Sequence, residues 1–248
     1  MSEPTIAVFR PDDERLETAS SVLESLGATP VADPMLAVSP TGARPREDAS
    51  VVILTSKTGA ELAAAAGWGP GDGTVCAIGP ATATALREQG YTVDCVPDEY
   101  TSAGLVSALG DTVDGARVEV ARSDHGSDVL TDGLEAAGAY VHETVLYRLE
   151  RPPESGHSTE LAAQGDLDGV CFTSSLTIEH FLDAAAERGV EDAARDGVAE
   201  ATVGVIGEPT AETAREHGLD VDVVASEATF EALAQEVVEA VSDRYSQE

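Results

Sequence analysis

Cationic side chains are scarce in this sequence. Its 248 residues contain 14 Lys and Arg against 46 Asp and Glu, which gives a formal net charge of -32. Such a charge repels nucleic-acid phosphates and anionic membrane surfaces, so we expect no nucleic-acid and no membrane partner. The balance favours a solvated acidic surface of the halophilic kind, because salt screens the repulsion among carboxylates.

Cysteines and long apolar runs are also few. Cys76, Cys95 and Cys171 show no CxxC spacing, and two of them lie in apolar strand-like runs. We therefore predict small buried side chains rather than metal ligands or disulfides. No apolar stretch approaches the roughly 20 residues of a membrane span, and residues 1–10 lack the basic and apolar regions of a signal peptide. A soluble, cytoplasmic protein is expected.

Apolar strand-like runs alternate along the chain with helical stretches rich in Ala, Leu and Glu. This alternation is typical of the α/β class, with parallel sheets flanked by helices. The predicted strands are residues 5–9, 51–54, 75–78, 118–120, 170–172 and 203–206.

One internal repeat, here named Y, occupies residues 51–109 (Y1) and 169–237 (Y2). Residues 74–109 align without gaps to residues 202–237, so that Gly79 matches Gly207 and Thr82 matches Thr210. Upstream, each copy has an apolar strand that runs into Thr-Ser, and Y2 carries extra residues near 187–197.

A second repeat, named X, joins residues 5–35 (X1) to residues 117–148 (X2). Each copy reads as strand, Arg, acidic loop, helix, Gly-Ala turn and strand. The chain order X1, Y1, X2, Y2 indicates a duplicated α/β domain. The polar, proline-containing residues 150–160 are predicted to be a linker or loop between X2 and Y2.

Hydroxyl and glycine residues follow the predicted strands, where open α/β sheets bind ligands. With free backbone N–H groups they form anion sites at helix N-termini. The alternative is that they are plain N-caps; two copies favour ligand contact. No GxGxxG, P-loop, GxSxG or HExxH pattern is present. The candidate binding residues are Thr55, Ser56, Gly79, Thr82, Thr173, Ser174, Ser175, Gly207 and Thr210.

Two arginines occupy equivalent positions just beyond the first strand of each X copy. In an acidic chain, Arg10, Arg122 and also Lys57 are candidates for holding substrate carboxylates. The alternative for the arginines is a surface ion pair with Asp12 or Asp124.

Tyr147 closes X2 shortly before the proline-containing stretch, and X1 has no tyrosine at the matching end. A phenol in an apolar cleft can donate a proton to a leaving group. Packing at an interface is the alternative role.

The ordered set of these segments resembles the uroporphyrinogen-III synthase family. The set covers nearly the whole chain and consists of TIAVFRP, VVILTSKTGAEL, CAIGPATATALREQGYTVDCVPDEYTSAGL, VLYRLE, VCFTSS and VIGEPTAETAREHG. The resemblance implies a cyclising lyase of tetrapyrrole biosynthesis, without metal or organic cofactor. It converts hydroxymethylbilane to uroporphyrinogen III by losing the terminal hydroxyl as water, inverting the last pyrrole ring and closing the macrocycle.

The resemblance also implies a domain arrangement in which X1 packs with Y2 and Y1 with X2. Residues 1–36 plus 150–248 would form one α/β domain and residues 37–149 a similar one, joined by a two-strand connection with the active-site cleft between them. Tyr147 would assist departure of the hydroxyl, with Ser56, Ser174, Thr82 and Thr210 lining the cleft of a monomer. A two-lobed small-anion-binding protein without catalysis is the alternative.

Overall fold

The structure, a computed structural model, describes residues 3–11 and 13–247. The chain divides into two compact units. The first comprises the chain up to Ala37 and from Glu150 onward, and the second is Val38–Leu149. The chain therefore passes twice from one unit to the other.

Strands and helices alternate through both units. The strands are β1 Thr5–Phe9, β2 Thr29–Ala32, β3 Ala37–Pro40, β4 Val51–Leu54, β5 Thr74–Ala77, β6 Arg117–Ser123, β7 Tyr140–Glu150, β8 Gly169–Phe172, β9 Thr202–Val205 and β10 Val223–Val224. The helices are α1 Glu14–Ser25, α2 Lys57–Ala65, α3 Pro80–Glu88, α4 Ser102–Leu109, α5 Asp128–Ala136, α6 His157–Gln164, α7 Ser175–Glu187, α8 Glu191–Glu200, α9 Glu208–Glu216 and α10 Phe230–Gln247.

The sheet of the first unit has the order β10-β9-β8-β1-β2. Its four neighbouring pairs are all parallel. Repeat X1 supplies β1 and β2, whereas Y2 supplies the other three strands. The sheet is therefore built from the two ends of the chain.

The sheet of the second unit has the order β3-β7-β6-β4-β5, with β4 parallel to both β5 and β6, and β6 parallel to β7. Y1 supplies β4 and β5, and X2 supplies β6 and β7. Strands β4, β8 and β9 are buried along their whole length, as central parallel strands covered on both faces should be. The predicted α/β class, with parallel sheets flanked by helices, is confirmed.

Successive residues of β1 point into two different apolar cores. Ala7 and Phe9 pack with residues of α7 and α9, while Ile6 and Val8 pack with residues of α1 and α10. The Phe9 and Phe172 rings stack with centroids 4.9 Å apart. Two apolar clusters in the second unit likewise hold the helices on both faces of its sheet.

The sequence prediction for residues 150–160 is wrong in its second half, because α6 begins at His157. Gly156 precedes the helix in the left-handed region, with φ of 104°. The Asp33 carboxylate accepts hydrogen bonds from the backbone N–H groups of Gly156 and Ser158, each at 2.8 Å. A distant carboxylate thus caps this helix, which local sequence does not reveal. The extra residues of Y2 contribute to α8.

The three cysteines are unpaired, with Cys76 and Cys171 buried and Cys95 half-buried. Burial raises the pKa of the Cys171 thiol to about 12 and also raises the pKa of the Cys76 thiol. Because the thiolate is the reactive form, we expect a maleimide to label Cys95 first in the folded protein. Mass spectrometry after timed quenching measures this, with urea-unfolded protein as the control that labels all three. Labelling of Cys171 as fast as Cys95 would contradict the prediction.

Candidate active site

In the second unit, helices α2 and α3 begin directly after neighbouring strands. Ser56 is the N-cap of α2, and its Oγ accepts a hydrogen bond from the Gly59 backbone N–H at 2.9 Å. Helix α3 follows Gly79 and has no side-chain cap. The N–H groups of its first turn are therefore not met by a cap, and such groups attract anions.

The first unit repeats this arrangement. Ser174 caps α7 in a reciprocal capping box with Thr177, and Gly207 precedes α9 without a side-chain cap. The alternative interpretation of Ser56 and Ser174 as N-caps is thus realised in the structure, while the two glycines leave their helix ends open. An N-cap serine can also contact a ligand, so a binding role for both stays a prediction.

Thr82 and Thr210 stand at the third position of α3 and α9. Each is only 4% exposed. Neither side-chain hydroxyl makes a hydrogen bond with another residue of the described chain. Both hydroxyls are therefore available as donors beside an uncapped helix N-terminus.

The other hydroxyl candidates differ in how far the fold uses them. Thr173 Oγ1 donates to the Phe9 carbonyl at 2.6 Å and so ties β8 to β1. Ser175 Oγ donates to the Pro209 carbonyl at 3.3 Å and links α7 to α9. Half-buried Thr55 has no side-chain hydrogen bond within residues 3–11 and 13–247.

The two equivalent arginines have different surroundings. Arg122 is buried and lies within β6, where its Nε donates to Glu143 Oε2 at 2.6 Å and its guanidinium also contacts the Ser127 carbonyl and Asp128. The alternative pairing with Asp124 is therefore wrong. Binding a substrate carboxylate would require Arg122 to leave these internal partners.

Arg10 has no such internal carboxylate among the residues that the structure describes. Its Nε is buried without a hydrogen-bond partner there, and its guanidinium lies 5.5 Å from the centre of the Phe230 ring. Burial, followed by the nearby Arg15 charge, lowers the pKa of Arg10. The alternative partner Asp12 lies outside the described residues. Arg10 is thus a cation whose charge would be stabilised by an incoming carboxylate.

Lys57, the first residue of α2, is exposed and forms an ion pair with Glu61 at 3.6 Å. Exposed pairs of this kind are worth little, so the ammonium group can exchange Glu61 for another carboxylate.

Tyr147 and Ser56 are the two candidate residues that the structure joins directly. The Tyr147 hydroxyl donates to Ser56 Oγ at 3.0 Å. The Tyr147 ring is 7% exposed and packs in the apolar cluster with Leu54, Ala121 and Leu146. The phenol therefore lies at the N-terminus of α2, where β4 ends.

Sequence reasoning missed two contacts of the candidate arginines, with Phe230 and with Glu143. The Glu143 contact could have been found by comparing the two copies of repeat X. Val8 pairs with Ala32 in the first sheet and Val120 pairs with Glu143 in the second, so the carboxylate beside Arg122 is replaced by Ala32 near Arg10.

These features define a duplicated α/β protein with uncapped helix N-termini, hydroxyl groups and an arginine, only partly offset in charge by Glu231 and Asp13, at the carboxyl edges of its sheets. Such edges suit an anionic small molecule. A family model described as uroporphyrinogen-III synthase HemD matches residues 17–235. The chain belongs to the uroporphyrinogen-III synthase family, which consists of cyclising lyases of tetrapyrrole synthesis.

Relatives and solved structures agree with this assignment. A protein of Methanothermobacter thermautotrophicus named "Putative uroporphyrinogen-III synthase" is 33% identical over 86% of this chain and 90% of its own length. The Synechococcus elongatus uroporphyrinogen-III synthase is 32% identical over 64% of this chain and 61% of its own. In fold, the chain is similar to a uroporphyrinogen III synthase from Thermus thermophilus, with a TM-score of 0.69 at 19% identity, covering 97% of this chain and 99% of that one.

Within residues 3–11 and 13–247, no helix has both the length and the apolar character needed to cross a membrane. In the same part of the chain, no group of His, Cys, Asp and Glu side chains is placed to hold a metal ion.

Proposed function

We propose that this chain converts hydroxymethylbilane to uroporphyrinogen III. The terminal hydroxyl leaves as water, the last pyrrole ring is inverted, and the macrocycle closes. The observation that carries the proposal is the duplicated edge described above. Gly79 with Thr82 and Gly207 with Thr210 each present a helix N-terminus without a side-chain cap and a hydroxyl that has no partner among residues 3–11 and 13–247. A substrate with several carboxylates needs several such sites.

A net charge of -32 opposes the approach of a polyanion. Local features act against this repulsion: helix N-termini carry partial positive charge, and Arg10 lacks an internal carboxylate among the described residues. Salt screens the remaining repulsion, since the Debye length falls to about 3 Å at 1 M. We therefore propose that substrate binding improves as the salt concentration rises.

The reaction requires correct positioning of the substrate more than it requires strong acids or bases. The pyrrole nitrogen pushes electrons toward the hydroxymethyl carbon, so the hydroxyl leaves readily. The protein must fold the linear tetrapyrrole so that the last ring reacts through its substituted carbon. Hydrogen bonds spread over many substrate carboxylates do this, which explains why hydroxyls and helix ends dominate the candidate site.

We propose further that the enzyme acts as a monomer on this small molecule alone. Only five large apolar side chains are exposed among the residues that the structure describes, namely Tyr100, Val129, Tyr140, Val224 and Tyr245. A stable subunit interface needs a larger continuous apolar patch.

The proposed function is tested by incubating the protein with hydroxymethylbilane in concentrated salt and separating the uroporphyrinogen isomers after oxidation. We expect the type III isomer to dominate over the type I isomer that forms without enzyme. A heat-denatured sample is the control. Formation of type I alone, at the spontaneous rate, would reject the proposal; if hydroxymethylbilane still bound, it would favour an anion-binding protein without catalysis.

A further inference from the structure

We propose that the Ser56 hydroxyl is the hydrogen-bond donor to the departing hydroxyl of the tetrapyrrole, and that Tyr147 acts through Ser56 as a positioning residue. This inference rests on the proposed function. It assigns the donor role to the half-buried Ser56 and not to the buried phenol of Tyr147.

The number of hydrogen bonds that Ser56 can make leaves its proton free for a ligand. A serine hydroxyl has one proton to donate and two lone pairs to accept with. Ser56 Oγ accepts from the Gly59 N–H at 2.9 Å and lies 3.0 Å from the Tyr147 hydroxyl. The phenol is the donor of this pair, because it is much more acidic than an aliphatic hydroxyl and is the poorer acceptor. Both acceptor positions are filled, so the remaining proton of Ser56 points away from them and is available to a ligand.

Tyr147 is buried and already engaged with Ser56. Its ring is 7% exposed, and its one O–H donor is already used on Ser56. Donation along a chain of hydroxyls polarises each member, and the N-terminal dipole of α2 adds to the effect. Tyr147 therefore strengthens and directs Ser56 without having to reach the substrate.

The two copies of the repeat differ in the surroundings of this N-cap serine. Ser174 occupies the position of Ser56 in Y2 and caps α7, but its Oγ accepts only from the Thr177 N–H, at 3.3 Å. No tyrosine contacts it among the described residues. The hydrogen bond between a serine and a tyrosine is therefore present in only one of the two copies among the described residues. A reaction with a single leaving group requires one such pair.

The carbon–oxygen bond of the hydroxymethyl group breaks with its electron pair on oxygen, while the pyrrole nitrogen lone pair stabilises the carbon. The oxygen takes the Ser56 proton and leaves as water, and the Tyr147 proton moves to Ser56 Oγ. The substituted carbon of the last ring attacks first and has no hydrogen to lose, so the bond from that carbon to its original methylene breaks. This methylene then bonds to the unsubstituted carbon of the same ring, which inverts the ring and closes the macrocycle. That carbon loses the proton that restores Tyr147.

The test is a double-mutant cycle on type III formation with Ser56→Ala, Tyr147→Phe and the double variant. We expect kcat to fall about 50-fold for Ser56→Ala and about 10-fold for Tyr147→Phe, near the low end for a lost proton donor. Because Tyr147 acts through Ser56, the double variant should be no slower than Ser56→Ala. An additive loss of about 500-fold would overturn the inference, since independent residues multiply their effects.

Two further variants separate this role from helix capping. Thr101→Ala removes an N-cap of the same type, since Thr101 Oγ1 accepts from the Gly104 N–H at 3.0 Å. It should lower stability about as much as Ser56→Ala and leave kcat unchanged. Ser56→Thr keeps the hydroxyl and should restore kcat to within about threefold. Equal kcat losses in Thr101→Ala and Ser56→Ala, or no rescue by threonine, would refute a donor role. A wild-type protein that makes only type I rejects the proposed function instead.

Discussion

Replacing Arg10 with glutamine is expected to raise KM for hydroxymethylbilane about 100-fold, because a charge-assisted hydrogen bond to a carboxylate contributes about 1.5–3 kcal/mol. The Arg10 guanidinium has no internal carboxylate among the described residues, and its buried Nε is unpaired there. Burial already disfavours its charge, which lowers its pKa. A substrate carboxylate would satisfy both the charge and the unpaired donor.

The effect should fall mainly on KM, because Arg10 holds a carboxylate that does not react. It should be measured as initial rates of type III formation over a range of salt concentrations, and the ratio of variant to wild-type KM should shrink as salt increases. Arg195→Gln is the matched control, since it removes one charge from a half-buried ion pair with Glu191 in the same unit. If both substitutions change KM equally, Arg10 contributes only to net charge.

The different roles of Arg10 and Arg122 show what the sequence could and could not predict. The repeat placed both arginines just beyond matching strand segments; this holds for Arg10, which follows β1, but is wrong for Arg122, because β6 extends to Ser123. Their partners depend on the strand next to them, where Ala32 pairs with Val8 and Glu143 pairs with Val120. Glu143 offers Arg122 a carboxylate, whereas Ala32 offers Arg10 only a methyl group, so Arg10 is the arginine that is available to a substrate. That difference is visible in the sequence only when the strand register is known.

The hydrogen bond between Ser56 and Tyr147 was likewise not predictable from the sequence alone. Hydrophobic runs and the repeat were enough to predict the α/β class, because buried parallel strands are continuous in sequence. Ser56 and Tyr147 are 91 residues apart, and β6 lies between their strands in the sheet. Their contact depends on the small Ala121 of β6, which lies in the same apolar cluster. Local pattern does not encode such a three-strand arrangement.

Asp33 is the position where we expect the largest loss of stability. Its carboxylate is 2% exposed and accepts from the Gly156 N–H, the Ser158 N–H and the Ser158 hydroxyl, so it caps α6 from 123 residues away. Asp33→Ala leaves these buried donors unpaired at once. Each hydrogen bond to a charged group contributes about 1.5–3 kcal/mol, so we expect the free energy of unfolding to fall by about 4 kcal/mol.

Urea unfolding followed by far-ultraviolet circular dichroism, in concentrated salt, measures this loss. Asp222→Ala is the matched control in the same unit, because Asp222 Oδ2 accepts only the Val203 N–H, at 2.8 Å. It should cost about 1 kcal/mol, because Asp222 is exposed and water competes for its hydrogen bond, and Asp33→Asn should fall between the two because the amide keeps one acceptor oxygen. Equal losses for Asp33→Ala and Asp222→Ala would show that the buried cap adds nothing beyond a single hydrogen bond. A larger loss for Asp33→Ala would mean that the contact between the end of X1 and the start of α6 stabilises the first unit, which is assembled from both ends of the chain.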